Sequence, residues 1–190
     1  KMSIKTSYSR ISQGIHLLSS NNLVMPSCIW VPITENLPLM FSDQFVIGYN
    51  FEIKDNINLT LEGYYKKQKN LIEYLEGASF TNSYGNWEDL IATGDGKAYG
   101  IEFLLEKTKG KTTGLIGYTL SKSLRKFDSP DGVINGGDEF YADNDQRHNL
   151  NITVTQNINE HWNISGTWTF QTGRRGTVTT TSIYGGNLDE

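Results

Sequence analysis

The sequence predicts an all-β fold, an antiparallel meander belonging to a transmembrane β-barrel, and three observations point to it. Apolar and polar residues alternate through successive runs with a period of about two, which gives each strand one apolar and one polar face. Tight polar turns alternate with long irregular connections, so all turns fall at one rim and all loops at the other. That is the layout of an outer-membrane barrel, with short periplasmic turns and long extracellular loops. Aromatic residues, among them Tyr8, Tyr65, Tyr99, Tyr118, Trp162 and Trp168, gather near the ends of the runs, where interfacial girdles form.

The first run covers residues 2–18, where Met2, Ile4, Thr6 and Tyr8 alternate with Ser3, Lys5 and Ser7, and Gly14 marks a kink. Residues 19–42 lose the period and carry Pro26, Pro32 and Pro38, each without the amide hydrogen of a central strand position, so they read as a long loop. Within it Cys28, Ile29, Trp30 and Val31 are expected to pack against neighbouring loops. Phe45, Ile47, Tyr49, Phe51 and Ile53 form the next run, and after a turn at 54–56 Ile57, Leu59, Leu61, Gly63 and Tyr65 answer them as a hairpin. Residues 66–96 read as a second long loop, with a short strand at 71–75. A second hairpin pairs Tyr99, Ile101, Phe103 and Leu105 with Ile116, Tyr118 and Leu120 across a turn at 108–111. Residues 122–141, rich in Asp and Gly, make a third loop. A third hairpin sets Leu150, Ile152, Val154 and Ile158 against Trp162, Ile164, Gly166, Trp168 and Phe170, with its turn at 159–161.

Composition narrows the function classes. The 17 Lys and Arg against 21 Asp and Glu leave a formal charge of -4 and no basic stripe, which argues against a nucleic-acid surface. One cysteine, Cys28, forms neither a disulfide nor a thiolate zinc cage within the chain. No nucleophile elbow, phosphate loop or metal triad points to an enzyme or a cofactor. Glu52, Glu62, Glu102 and Glu106 fall on the polar faces, as a wet lumen requires, because a charge facing lipid near mid-membrane costs about 2–4 kcal/mol. A soluble all-β ligand- or glycan-binding module is the alternative, in which the apolar faces pack against a second sheet.

Several segments carry a family resemblance: SYSRISQGIHLLSSN from Ser7, WVPITENLPLMFSDQFVIGY from Trp30, KAYGIEFLLEK from Lys97, GLIGYTLSKS from Gly114, DNDQRHNLNI from Asp143 and WNISGTWTFQTGR from Trp162. Together they resemble the barrel domain of TonB-dependent receptors, in particular the Bacteroidetes type. The resemblance implies a large barrel of about twenty-two strands around an N-terminal plug, and active uptake of a nutrient, a glycan, a siderophore or similar, across the bacterial outer membrane. It implies outer-membrane lipid as surroundings, TonB as a partner reached through the plug, and a surface lipoprotein. Residues 1–190 hold about seven strands and no plug or TonB box, so the chain reads as a fragment of such a barrel domain.

Two sets of residues stand out as candidate sites. The aromatic residues Trp30, Tyr84, Trp87 and Tyr141 fall in the long loops, where they can meet a ligand. Asp143, Asp145, Arg147 and His148 make a dense polar group whose spacing invites a metal or acid–base reading. No other segment supplies further ligands or a nucleophile, so they read as a structural polar cluster. In the family such a stretch opens a strand at the extracellular side, which implies that Arg147 pairs with neighbouring carboxylates across adjacent strands.

Overall fold

Backbone ladders carry the alternating runs well beyond their apolar portions. The structure, a computed structural model, describes residues 1–19, 28–54, 56–75, 78 and 86–173, with the side chains of 19 and 28 left out. Seven strands form the main path of one antiparallel sheet, in the order β1 (Met2–Gln13), β4 (Met40–Lys54), β5 (Ile57–Tyr74), β6 (Ile91–Lys107), β7 (Thr112–Ser129), β10 (His148–Asn157) and β11 (Asn163–Gln171). The short strands β8 (Gly132–Ile134) and β9 (Phe140–Tyr141) add to β7. β2 (Ile15–Ser19) and β3 (Cys28–Pro32) form a separate hairpin. The sheet is open, with β1 and β11 at its edges. The short connections, 55–56, 108–111 and 158–162, lie at one end of the sheet and the long ones at the other.

Register turns the alternation into two unlike faces. One row across the sheet reads Ile4, Tyr49, Leu61, Phe103, Tyr118, Leu150 and Phe170. The next apolar row reads Met2, Phe51, Leu59, Leu105, Ile116, Ile152 and Trp168. One step from the first row toward the long-loop end, on the opposite face, run Lys5, Gly48, Glu62, Glu102, Thr119, Asn149 and Gln171. No second sheet covers the apolar rows among the described residues, and Ile4, Leu61, Trp168 and Phe170 are exposed.

The long-loop end departs from the sequence reading in three places. The run over 2–18 breaks at Gly14, where β2 leaves the main sheet to pair with β3, a strand inside the stretch read as loop. Strand extends into both stretches read as loop, 66–96 and 122–141, since β5 runs to Tyr74, β6 starts at Ile91 and β7 runs to Ser129. The apolar period stops earlier than the strand, because ladder bonds need only a partner backbone and no apolar side chain. A bulge at Gln68–Leu71 re-phases β5, with Asn70 at φ 59° and its Nδ2 donating to the Leu39 carbonyl at 2.8 Å.

The buried core lies at this end too, in two clusters. Leu71, Ala92, Phe127 and Ile134 form one, flanked by Met40, Leu75 and Phe140. Leu18, Val31, Leu37, Tyr74 and Ile91 form the other, where the β2–β3 hairpin packs with Ile29 and Trp87 alongside. Gly94 permits the first cluster, since a Cβ there would stand 2.5 Å from the Phe127 ring.

Candidate functional site

The segment between β9 and β10 is fastened to β7 by an unbroken series of bonds. The Ala142 amide donates to the Ser123 carbonyl at 3.1 Å, and the Ser123 amide donates to Asp145 Oδ1 at 2.7 Å. The Ser121 amide donates to the Arg147 carbonyl at 3.1 Å, and the Ser121 hydroxyl donates to the Gln146 carbonyl at 2.9 Å. Asp145 is 3% exposed, a burial that a carboxylate tolerates only when it accepts such bonds. Arg147 Nη2 lies 4.0 Å from Asp145 Oδ2, a pairing within its own segment. The His148 Nδ1 and the Tyr118 hydroxyl share a 2.8 Å hydrogen bond, with the two rings stacked.

Asp143 acts on a second ion pair. Arg125 Nη1 donates to Glu73 Oε2 at 2.8 Å, on the same face as Phe127. Burial pushes the Glu73 carboxyl above its ordinary range, the charge and hydrogen bond of Arg125 oppose this, and the charge of Asp143 adds to it. No group of three or more His, Cys, Asp or Glu among the described residues has the arrangement of a metal site.

The three aromatic candidates among the described residues, Trp30, Trp87 and Tyr141, stand at separate places. Trp30 lies on the outer side of the β2–β3 hairpin, 62% exposed, opposite the face that carries Val31. It therefore does not join the loop packing expected from the sequence, whereas Ile29 and Val31 do. Trp87 opens a 3-10 turn, Trp87–Leu90, and packs against the Tyr74–Ile91 cluster. Tyr141 is held between two cations, with Lys122 Nζ 5.2 Å and Arg147 Cζ 5.6 Å from the ring centre. Tyr84 and the side chain of Cys28 lie outside the described residues.

Sequence reasoning missed the Glu73–Arg125 pair, whose members stand 52 positions apart in stretches taken for loop. It also passed over His16, which is 2% exposed on the inward side of the β2–β3 hairpin with Leu18. A ring nitrogen bonds the Pro38 carbonyl, while Nε2 is buried without a partner. Burial lowers the His16 pKa from about 6.5, outweighing the bond to Pro38. Once the hairpin is released, the imidazole takes up a proton more readily, so the docked form is favoured above about pH 6.5 and weakens as pH falls from there toward the lowered folded value. Amide exchange at residues 15–18 and 29–31, corrected for intrinsic rates, is expected to rise from about pH 7 to about pH 5. His16→Asn should flatten that rise, and a pH-independent profile in the unaltered protein would refute the expectation.

A strand ladder with one mainly apolar and one mainly polar face, turns at one end and loops at the other, defines a β-barrel wall. The chain belongs to the TonB-dependent receptor-like β-barrel family, whose model matches residues 2–188. It is thus a barrel segment of a receptor and transport family of the bacterial outer membrane. Neither the comparison with curated proteins nor that with solved structures finds a match.

Proposed function

We propose that this chain is one section of a larger closed barrel that takes up a nutrient by energy-coupled transport, its polar face lining the lumen and its apolar face meeting lipid. The register rows carry this reading. The row from Ile4 to Phe170 puts a large apolar residue at every strand, and the row from Lys5 to Gln171 puts a polar residue or glycine at every strand. A soluble sandwich requires a second sheet over the first row, and among the described residues only the β2–β3 hairpin leaves the main sheet, at the far end. In this reading the short turns face the periplasm and the long connections face outward. TonB acts through a plug outside residues 1–190, and a surface lipoprotein lies over the loops. Trp30, Tyr84, Trp87 and Tyr141 are the aromatic contacts proposed for the nutrient, a glycan, a siderophore or similar. Of the three among the described residues, Trp30 is the most exposed.

Spin labels test the two faces in the reconstituted receptor. Labels at 59 and 61 should respond to a lipid-soluble quencher, and labels at 60 and 62 to a water-soluble one. Four aqueous responses, or a reversed pattern, would overturn the reading.

A further inference from the structure

At the short-turn end, two neighbouring turns gather four lysines. The stretches 54–57 and 107–111 read Lys-Asp-Asn-Ile and Lys-Thr-Lys-Gly-Lys, so Lys54, Lys107, Lys109 and Lys111 stand against one carboxylate, Asp55, which lies outside the described residues. Hydrogen bonds tie the two turns together. The Thr108 amide donates to the Asn56 carbonyl at 3.0 Å, and Asn56 Nδ2 donates to the Lys109 carbonyl at 3.2 Å. Gly110 closes the second turn at φ 106°, a conformation that favours glycine, and a Cβ added there would stand 4.0 Å from Lys107 Nζ.

A register shift decides which face the first lysine takes. Between Glu52 and Lys54 the β4–β5 ladder slips by one residue, so Lys54 rather than Ile53 opposes Ile57. Ile57 in turn opposes Lys107, and the three form a row on the apolar face, one step nearer the turns than the row from Met2 to Trp168. In an unbroken ladder Lys54 would fall on the polar face with Glu52. Lys54 and Lys107 stand two strand spacings apart, about 10 Å, a gap that two lysine side chains can close on one shared anion. Glu52 and Glu106 belong to the row of Asn58 on the opposite face. Among the described residues none of the four lysines forms an ion pair. Lys54, Lys109 and Lys111 are exposed and Lys107 is half-buried.

From this we infer that Lys54, Lys107, Lys109 and Lys111 form a binding site for the headgroup of an anionic phospholipid of the periplasmic leaflet. The inference rests on the reading proposed above, with the apolar face in lipid and the short turns at the periplasmic side. On that reading the row of Lys54, Ile57 and Lys107 lies where the hydrocarbon ends, so its ammonium groups meet headgroup phosphates, and Lys109 and Lys111 extend the positive field beyond them. A soluble acidic protein reaches the turn tip at Lys109 and Lys111, but not the lipid side of the sheet where Lys54 and Lys107 stand. Four cations against one carboxylate favour a headgroup of net negative charge over a zwitterionic one. Each lysine beside an anionic surface is worth about fivefold in affinity.

The test uses the complete receptor, purified in detergent from the outer-membrane fraction and titrated with phosphatidylglycerol, with bound lipid read by native mass spectrometry. Combining Lys54→Gln with Lys107→Gln should weaken binding about 25-fold, while Lys54→Arg with Lys107→Arg should retain it. Lys66→Gln, on the polar face, should leave it unchanged. Phosphatidylcholine, which keeps the phosphate but carries no net charge, should bind the unaltered protein as weakly as the double Gln variant binds phosphatidylglycerol. A photoreactive benzoylphenylalanine at position 109, irradiated in the outer-membrane fraction, should mark phospholipid. Unchanged binding by the double Gln variant, an equal loss from Lys66→Gln, phosphatidylcholine or inorganic phosphate binding as tightly as phosphatidylglycerol, or a protein as the main photoproduct would overturn the site. Recovery of the receptor from the membrane fraction in its heat-resistant folded form reports on the barrel reading separately. A receptor folded in the membrane whose double Gln variant keeps its lipid therefore sinks the site alone.

Discussion

Phe127→Ala should remove about 3–5 kcal/mol of stability, the ordinary cost of emptying an aromatic position in a closed core. Phe127 is fully buried, packs with Leu71, Ala92 and Ile134, and stacks on Phe140 at 6.0 Å. Its neighbours cannot close the gap easily, because three of them sit on strands locked by ladder bonds and Gly94 brings no side chain. Denaturant unfolding of the purified receptor checks the magnitude, and protease cleavage within 128–147 checks the place, since β8 and β9 lose the ring that holds them. A loss under about 1 kcal/mol would show that the cluster collapses around the vacancy.

Leu61→Arg should cost about 2–4 kcal/mol in a folded, membrane-inserted barrel, since Leu61 stands mid-row between Tyr49 and Phe103. Glu62→Arg, one position on and one face over, should change stability by less than about 0.5 kcal/mol. It could even gain slightly, because Glu62 lies opposite Glu102 and the substitution replaces a like-charged pair by an opposite one. Refolding into lipid with a titration of denaturant measures both. Equal costs at 61 and 62 would mean that both faces share one environment.

The half of the sheet nearer the short turns was legible because apolar and polar residues alternate there at every second position. Tyr49, Leu61, Phe103 and Leu150 keep the period, and the tight turns set the three hairpins, whereas the residue-by-residue register came from the structure. The upper halves of β5 and β7 were not legible, because Lys66, Lys67, Gln68 and Lys69 are polar on both faces and the pattern that distinguishes strand from loop vanishes. β3 was hidden for a different reason, since Pro32 ends a strand whose only partner is the short β2. At the candidate site, the Asp143–His148 stretch was visible as a dense polar motif. The bond from the Ser123 amide to Asp145 was not, because it joins residues 22 positions apart across a β7 end taken for loop. The lysine row at the short turns was equally hidden: Lys54 and Lys107 share a face only through the shifted register.

The 18-residue strands β5 and β7 have a mechanical consequence. At about 3.3 Å per residue each is roughly 60 Å long, and a tilt of about 45° leaves a rise of roughly 42 Å. The hydrocarbon layer takes up about 30 Å of that. On the reading proposed above, the remainder stands above the lipid as a stiff collar, braced on one face by Phe127 and on the other by the β2–β3 hairpin. The connections at its top therefore start from a raised, rigid rim, and a solute meets the mouth of the protein before it comes level with the bilayer.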